Sequence, residues 1–355
     1  MILVMLALVP ATAWGITQYG WPAVNLLLVT VGAAVVAEAF SLRAAGQTVR
    51  PGLGDGSALL TGWLLAMTLP PWSPWWIGVL GAVFAIVVSK HVFGGLGQNL
   101  FNPAMVGRVV LLVAFPLEMT TWVAPHVVFQ PASPSFVESL SITFQSALDT
   151  DAISGATALG HERGPPAVSE GQNEPSAGKF DVREALLGEQ YGSLGEGSAA
   201  LLAAGGLLLL LTGVVRWPIP VAMLGSVALV ATLFHALEPA RYGDAVFHLL
   251  SGGLVLGALF IATDPVTSPV TRTGQLVFGA GCGLLTYTIR TWGGYPEGVA
   301  FAVLLMNAVT PIIDYYIRPR VFGRTLSGIS LKLPDEKPAA PAKPWGTNVP
   351  RGSRP

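Results

Sequence analysis

The sequence predicts an all-α integral membrane protein of about ten transmembrane helices, in two inverted five-helix repeats with a long external loop. Three observations carry this prediction. Of the 355 residues, 52% are hydrophobic and only 11% charged, whereas a soluble domain carries about 25% charged residues. The apolar residues come in long blocks, which is the pattern a bilayer demands. The two halves of the chain also echo each other.

The first residues, MILVMLALVPATAWGITQYG, lack a charged leader and an obvious small-residue cleavage site. They read as a first membrane helix, not as a removable signal peptide. A span needs ~20 mostly apolar residues, with a few less tolerated in bundles. Ten stretches qualify: 1–19, 22–42, 56–70, 74–91, 102–116, 198–215, 218–237, 244–262, 274–291 and 297–317. The third and fifth are short, as broken or re-entrant segments are. Trp72, Trp75 and Trp76 fall around the junction of the third and fourth, where an aromatic belt is expected.

Four regions follow: a first membrane repeat (1–116), an extracytoplasmic loop (117–197), a second membrane repeat (198–317) and a tail (318–355). The tail holds eight Lys or Arg against Asp335 and Glu336, which places it in the cytoplasm. An even number of spans puts the N-terminus there too. Arg43, Arg50, Lys90, Arg216 and Arg272 fall on inside connections, with Arg241 and Arg290 as exceptions on outside turns. The end of the tail, NVPRGSRP, is Pro-bearing and reads as disordered. The loop 117–197 contains eleven Asp or Glu against Arg163, Lys179 and Arg183. Acidic and without helical periodicity, it reads as translocated.

The repeat rests on two echoes. GDGSALLTG (54–62) returns as GDAVFHLLSG (243–252). KHVFGGLGQNLF (90–101) returns as RTWGGYPEGVAF (290–301), which keeps a cation, a Gly-Gly pair and a Phe in order. Five helices have odd parity, so two successive repeats are inverted. Inverted repeats set functional groups near the midplane, at the repeat interface. The competing reading is that Gly-rich membrane helices resemble each other by chance.

Four constellations offer chemistry. The loop holds D-x-x-S-G-A-T: Asp151, Ser154, Gly155, Ala156 and Thr157. A Thr hydroxyl is a poor nucleophile unless activated, and His161 nearby has no evident orienting partner. Small neighbours suit an acceptor, since they admit a bulky group and a modifying enzyme; ordinary turns share the pattern. In FNPAMVGRVVLLVAFP (101–116), Asn102 is a natural N-cap followed by Pro103. Arg108 then falls inside an apolar helix, where it either snorkels to a rim or meets a phosphate or carboxylate. In ATDPVTSPVTRTG (262–274), Asp264 and Thr267 lie in a helix break that either holds a ligand or is a plain turn. The break at Pro70, Pro71 and Pro74 matches it in the other half. Glu38 and Asp314 are membrane acids, candidates for a cation or proton, although Glu38 also fits a solvated rim position.

These motifs together resemble the NqrB/RnfD family. D-x-x-S-G-A-T in an external loop, NPAMVGR opening the fifth helix, ATDPVTSP after the eighth and YPEGVAFAVLLMN opening the tenth occur in the family's order over nearly the whole chain. The match is better to the Rnf complex D subunits than to the B subunits of the sodium-pumping NADH:quinone reductase, which carry a longer N-terminal extension.

The resemblance implies FMN held on Thr157 by a phosphoester, installed from FAD by a flavin transferase of the ApbE type working outside the cytoplasm. It implies a subunit of a translocase in the bacterial inner membrane that passes electrons between ferredoxin and NAD, coupled to sodium or proton movement. Its neighbours would be the other Rnf subunits, above all the G subunit with its own covalent FMN, and membrane lipids. Relatives also hold a noncovalent riboflavin. By motif position, Asn102, Arg108, Asp264 and Thr267 become flavin-contact candidates, and Glu38 and Asp314 ion-translocation candidates.

Other chemistry is poorly served. A net charge of -1 gives no reason for nucleic acid, and the single Cys282, a packing residue, excludes a cysteine-held cluster from this chain alone. GGLGQNLF has the wrong spacing and context for a dinucleotide fingerprint, so NAD falls to other subunits. The competing function is a solute channel or transporter on the same repeat, with no redox role.

Overall fold

The computed structural model describes residues 1–125, 134–145, 154–155, 159, 180–188, 191–239, 241–295 and 297–319. Each of the ten predicted stretches contains helix. In the first half these are α1 (Ile2–Tyr19), α2 (Trp21–Ala44), α3 (Ser57–Thr68), α4 (Trp75–His91) and α5 (Pro103–Ala114). In the second half they are α6 (Ala199–Leu211), α7 (Pro218–Leu237), α8 (Ala245–Leu250, resumed at 254–261), α9 (Arg272–Trp292) and α10 (Val299–Tyr316). Among the described residues α1, α2, α7 and α10 are long and apolar enough to cross a membrane. Their outward faces carry Leu28, Val36, Phe40, Leu229 and Leu233, all exposed, as lipid-facing positions are.

Local chemistry explains the starts and breaks. Asn102 caps α5 by accepting from Met105 N at 3.3 Å, with Pro103 at the first helical position. Asp244 caps α8 by accepting from Phe247 N at 2.7 Å, while Asp55, one residue before the Gly56 cap of α3, accepts from Ser57 N at 2.7 Å. The eighth predicted stretch is broken at 251–253, where Gly252 has a φ of 66° that suits glycine. Two of the described helices contain π-helical turns, at 84–91 in α4 and 257–261 in α8. Such turns often mark functional sites.

Small residues let the helices approach. A side chain at Gly279 would meet the Ile219 carbonyl at 2.6 Å, and one at Gly283 would meet the Met223 carbonyl and the Ser226 hydroxyl. Helices α7 and α9 thus pack through glycines four residues apart, the small-residue seam that membrane helices use where hydrophobicity gives no drive to associate. Gly62 does the same for α3 against Ala34 of α2. Gly283→Val is therefore expected to cost ~1–3 kcal/mol by overpacking, seen as a lowered thermal midpoint of the purified protein.

The connection 117–197 differs from its sequence reading, because short segments among its described residues are helical. These are Pro116–Thr120, Phe136–Gln145, Val182–Leu187 and the 3-10 turn Leu194–Glu196. They are too short to show a period, and tertiary contacts hold the longest of them. Phe136 meets Trp21 edge-on at 5.4 Å, Phe144 stacks on Trp75 at 6.3 Å, and Ile142 packs with Trp72 and Val123. Asn25 Nδ2 donates to Ser139 Oγ at 3.1 Å. The helix Phe136–Gln145 therefore lies over the end of the bundle where the tryptophans gather.

Two cations also differ. Lys90 and Arg290, expected on connections, sit inside α4 and α9 and are 1% and 2% exposed. Each has polar partners within the fold, which makes burial of the charge tolerable. Cys282 is fully buried, as a packing residue would be.

Candidate functional site

The two halves meet around a cavity of about 210 Å³. Its polar wall is formed by Ser57, Thr61, Lys90, Asn99, Asn102 and Asp264, and its apolar wall includes Leu64 and Phe260. Helix α3 reaches it with its N-terminal end and α8 with its C-terminal end, so the two helices approach it in opposite senses. Apolar walls with a few convergent polar groups are the usual build of a ligand site.

Asn102 is fixed from both halves. Its backbone N donates to Asn307 Oδ1 at 3.1 Å, and its Nδ2 donates to the Ile261 carbonyl at 3.3 Å, at the end of the π-helical turn of α8. Asn307 Nδ2 in turn donates to the Thr267 carbonyl at 3.2 Å. The break after α8 is held by Asp264, whose Oδ1 accepts from Val266 N at 3.2 Å and whose Oδ2 accepts from Thr267 Oγ1 at 3.3 Å. Of the predicted contact residues, the cavity brings together Asn102 and Asp264. Thr267 stands behind Asp264, and Asp314 holds the same turn from outside by accepting from Val270 N at 3.2 Å.

Arg108 is committed elsewhere. Its guanidinium donates to the Thr68 carbonyl, at the end of α3, and to Glu297 Oε2. The two side chains are 7% and 11% exposed. The anion that the sequence demanded is thus the protein's own carboxylate, and the charge also satisfies an orphan carbonyl at a helix end. Arg290 does parallel work in the other half. Its Nη1 donates to the His248 carbonyl at 2.7 Å and its Nη2 to the Ser251 carbonyl at 2.9 Å, where α8 breaks.

Glu38 is buried, not solvated. Lys90 Nζ lies 2.7 Å from Glu38 Oε1 and also donates to Ser57 Oγ at 2.6 Å. His91 Nε2 is 3.1 Å from the second carboxylate oxygen.

Asp151, Ala156 and Thr157 lie outside the described residues, but their neighbours are placed. Ser154 and Gly155 pair antiparallel with Val123 and Trp122. Leu159 is 4% exposed and packs over Gly252, where a side chain would meet Leu159 Cδ1 and Arg290 Nη2, each at 2.9 Å.

Glu297, Lys90, His91, Arg290 and Asn307 are the polar residues that sequence reading did not select. Arg108's need for an anion was the one available pointer to Glu297.

A model of the NQR2, RnfD, RnfE family matches residues 1–323. The chain is 57% identical over 337 residues to the D subunit of the ion-translocating oxidoreductase complex of Halorhodospira halophila, covering 94% of each chain. It is 52% identical to the protein of that name from Stutzerimonas stutzeri, covering 92% of each. To the one from Rhodobacter capsulatus it is 48% identical, covering 81% of this chain and 80% of that one. The match spans both halves, the cavity and the D-x-x-S-G-A-T segment, and the chain belongs to the NQR2/RnfD/RnfE family.

Proposed function

We propose that this chain is the membrane subunit of an ion-translocating Rnf-type oxidoreductase, carrying FMN covalently on Thr157 and passing electrons in step with sodium or proton movement. One observation carries the reading: within a chain of this family, the Thr of D-x-x-S-G-A-T stands in sequence between two anchored points. The strand pair at 154–155 lies on one side of Thr157, and the packed Leu159 lies on the other. In the attachment step Thr157 Oγ forms a bond to the FMN phosphorus of FAD. The phosphoanhydride breaks, AMP leaves, and the hydroxyl proton is released. The enzyme is a flavin transferase of the ApbE type outside the cytoplasm. A tether also replaces scarce free flavin by an effective concentration on the order of mM.

The ten helices would span the bacterial inner membrane as two inverted repeats, with both termini cytoplasmic and 117–197 periplasmic. The opposed approach of α3 and α8 to the cavity supports this arrangement. The G subunit, with its own FMN, would be the nearest redox neighbour among the other Rnf subunits.

The cavity suits a second, noncovalent flavin such as riboflavin. A flat ring with a polar edge would meet the amides of Asn99 and Asn102 there, with Asp264 in the same wall, and at about 210 Å³ the cavity would enclose part of such a molecule. When bound, a flavin supplies the electron-carrying chemistry, and the chain's residues hold and orient it. Asn102→Leu is expected to strip the flavin that acid releases from the purified protein, while leaving any covalent flavin in place. Chromatography of the acid extract measures this.

The covalent assignment is tested by co-expression with and without the transferase. Fluorescence of the denatured band under ultraviolet light is expected only with it. A band that stays dark in its presence contradicts the assignment.

A further inference from the structure

Glu38 and Lys90 make a buried ion pair with an unfinished side. The two side chains are 3% and 2% exposed, and Nζ lies 2.7 Å from Oε1. The other oxygen, Oε2, accepts no hydrogen bond: His91 Nε2 is 3.1 Å away but off the line of one, and both atoms are buried and unsatisfied. A buried acceptor without a donor is costly to keep, so Oε2 has an acceptor site left to fill. Lys90 also borders the cavity, together with Asn99, Asn102 and Asp264. Its four-carbon stem is flexible, and the ammonium therefore has a second polar surface within reach. It stands in a π-helical turn of α4, where backbone packing is looser than in an α-helix.

We propose that Lys90 is a tethered counter-ion, which occupies the cation position on Glu38 and leaves it when a sodium ion binds there. One carboxylate neutralises one positive charge, so in a buried site the ammonium and the ion are alternatives. The displaced ammonium turns to the cavity wall, where the Asp264 carboxylate and the side-chain oxygens of Asn99 and Asn102 can accept from it. Negative charge in the cavity and sodium on Glu38 then favour each other, and the linkage is reciprocal. This inference rests on the reading of Glu38 as an ion-carrying group and adds the device that links it to the cavity.

The test uses the purified full-length chain in sodium chloride and in choline chloride at equal ionic strength. The thermal midpoint of Lys90→Met is expected to rise by roughly 3–8 °C in saturating sodium. The wild type should show a smaller rise, because sodium must first displace the ammonium, and the double variant Lys90→Met/Glu38→Gln none. A folded Lys90→Met protein indifferent to sodium overturns the proposal. So does a Lys90→Met protein that stays unfolded in sodium while the double variant folds, because sodium then cannot replace the ammonium.

A second measurement needs no variant. Reductive methylation of Lys90 in the wild type, read by peptide mass spectrometry, should increase several-fold in sodium over choline, and equal labelling overturns the proposal. Neither readout involves flavin or pumping. Sodium movement by the assembled complex that survives Glu38→Gln would count instead against the ion-carrying role itself.

Discussion

Replacing Thr157 with Ala is expected to abolish the fluorescent band and to lower electron transfer through the assembled complex by about 100-fold or more. The magnitude follows from the tether. An effective concentration on the order of mM is replaced by whatever free flavin is present, which at micromolar levels lowers occupancy by a factor of hundreds. The fold should be untouched, since removing one hydroxyl and one methyl from a connecting segment belongs to none of the strongly destabilising classes of change. Thr157→Ser, which keeps a hydroxyl, separates the acceptor role from a side-chain contact: it is expected to regain modification, if more slowly. Flavin content by fluorescence and turnover in membranes are the two measurements. A fully active Thr157→Ala complex would remove the covalent flavin from the electron path.

Arg108→Met is expected to be the most damaging single change to stability. It leaves Glu297, 11% exposed, as an uncompensated buried charge and strips the Thr68 carbonyl of its donor. Breaking one side of a buried pair costs about 3–5 kcal/mol, a large part of the stability of a typical domain. The expected result is poor recovery from the membrane, with a lowered thermal midpoint for what is recovered. Replacing both partners by apolar residues, Arg108→Met with Glu297→Met, should return much of the loss, because such pairs are often no better than well-packed apolar substitutes. A double variant as unstable as the single one would assign the effect to the Thr68 carbonyl or to Glu196, a second carboxylate that Arg108 faces.

The sequence made the helices legible because a bilayer leaves little choice. Blocks of apolar residues must be helical to satisfy their own backbone, and all ten predicted stretches contain helix. What it could not show was pairing at a distance. Glu38 and Lys90 are 52 positions apart, and Arg108 and Glu297 are 189 apart. Nothing local distinguishes a cation buried against a carboxylate from one on a cytoplasmic turn, so Lys90 and Arg290 read as connection residues. The short helices over 117–197 escaped for a related reason. A ten-residue segment such as Phe136–Gln145 is stabilised by Trp21, Trp72 and Trp75, and those contacts leave no periodic trace.

The cavity was half legible. Asn102 and Asp264 stood out through an N-cap with proline and a proline-bounded break, and they line it. Arg108 and Thr267 stood out for the same kind of reason but serve the frame, binding Glu297 and Asp264. A polar residue in an apolar helix announces that it needs a partner, not whether that partner is a ligand or another part of the chain.

Peptide mapping of the protein isolated from its native complex decides whether FMN is carried on Thr157. The expected peptide spanning Thr157 is heavier by one FMN less a water, with the modification on that residue. An unmodified peptide from an active complex would contradict it.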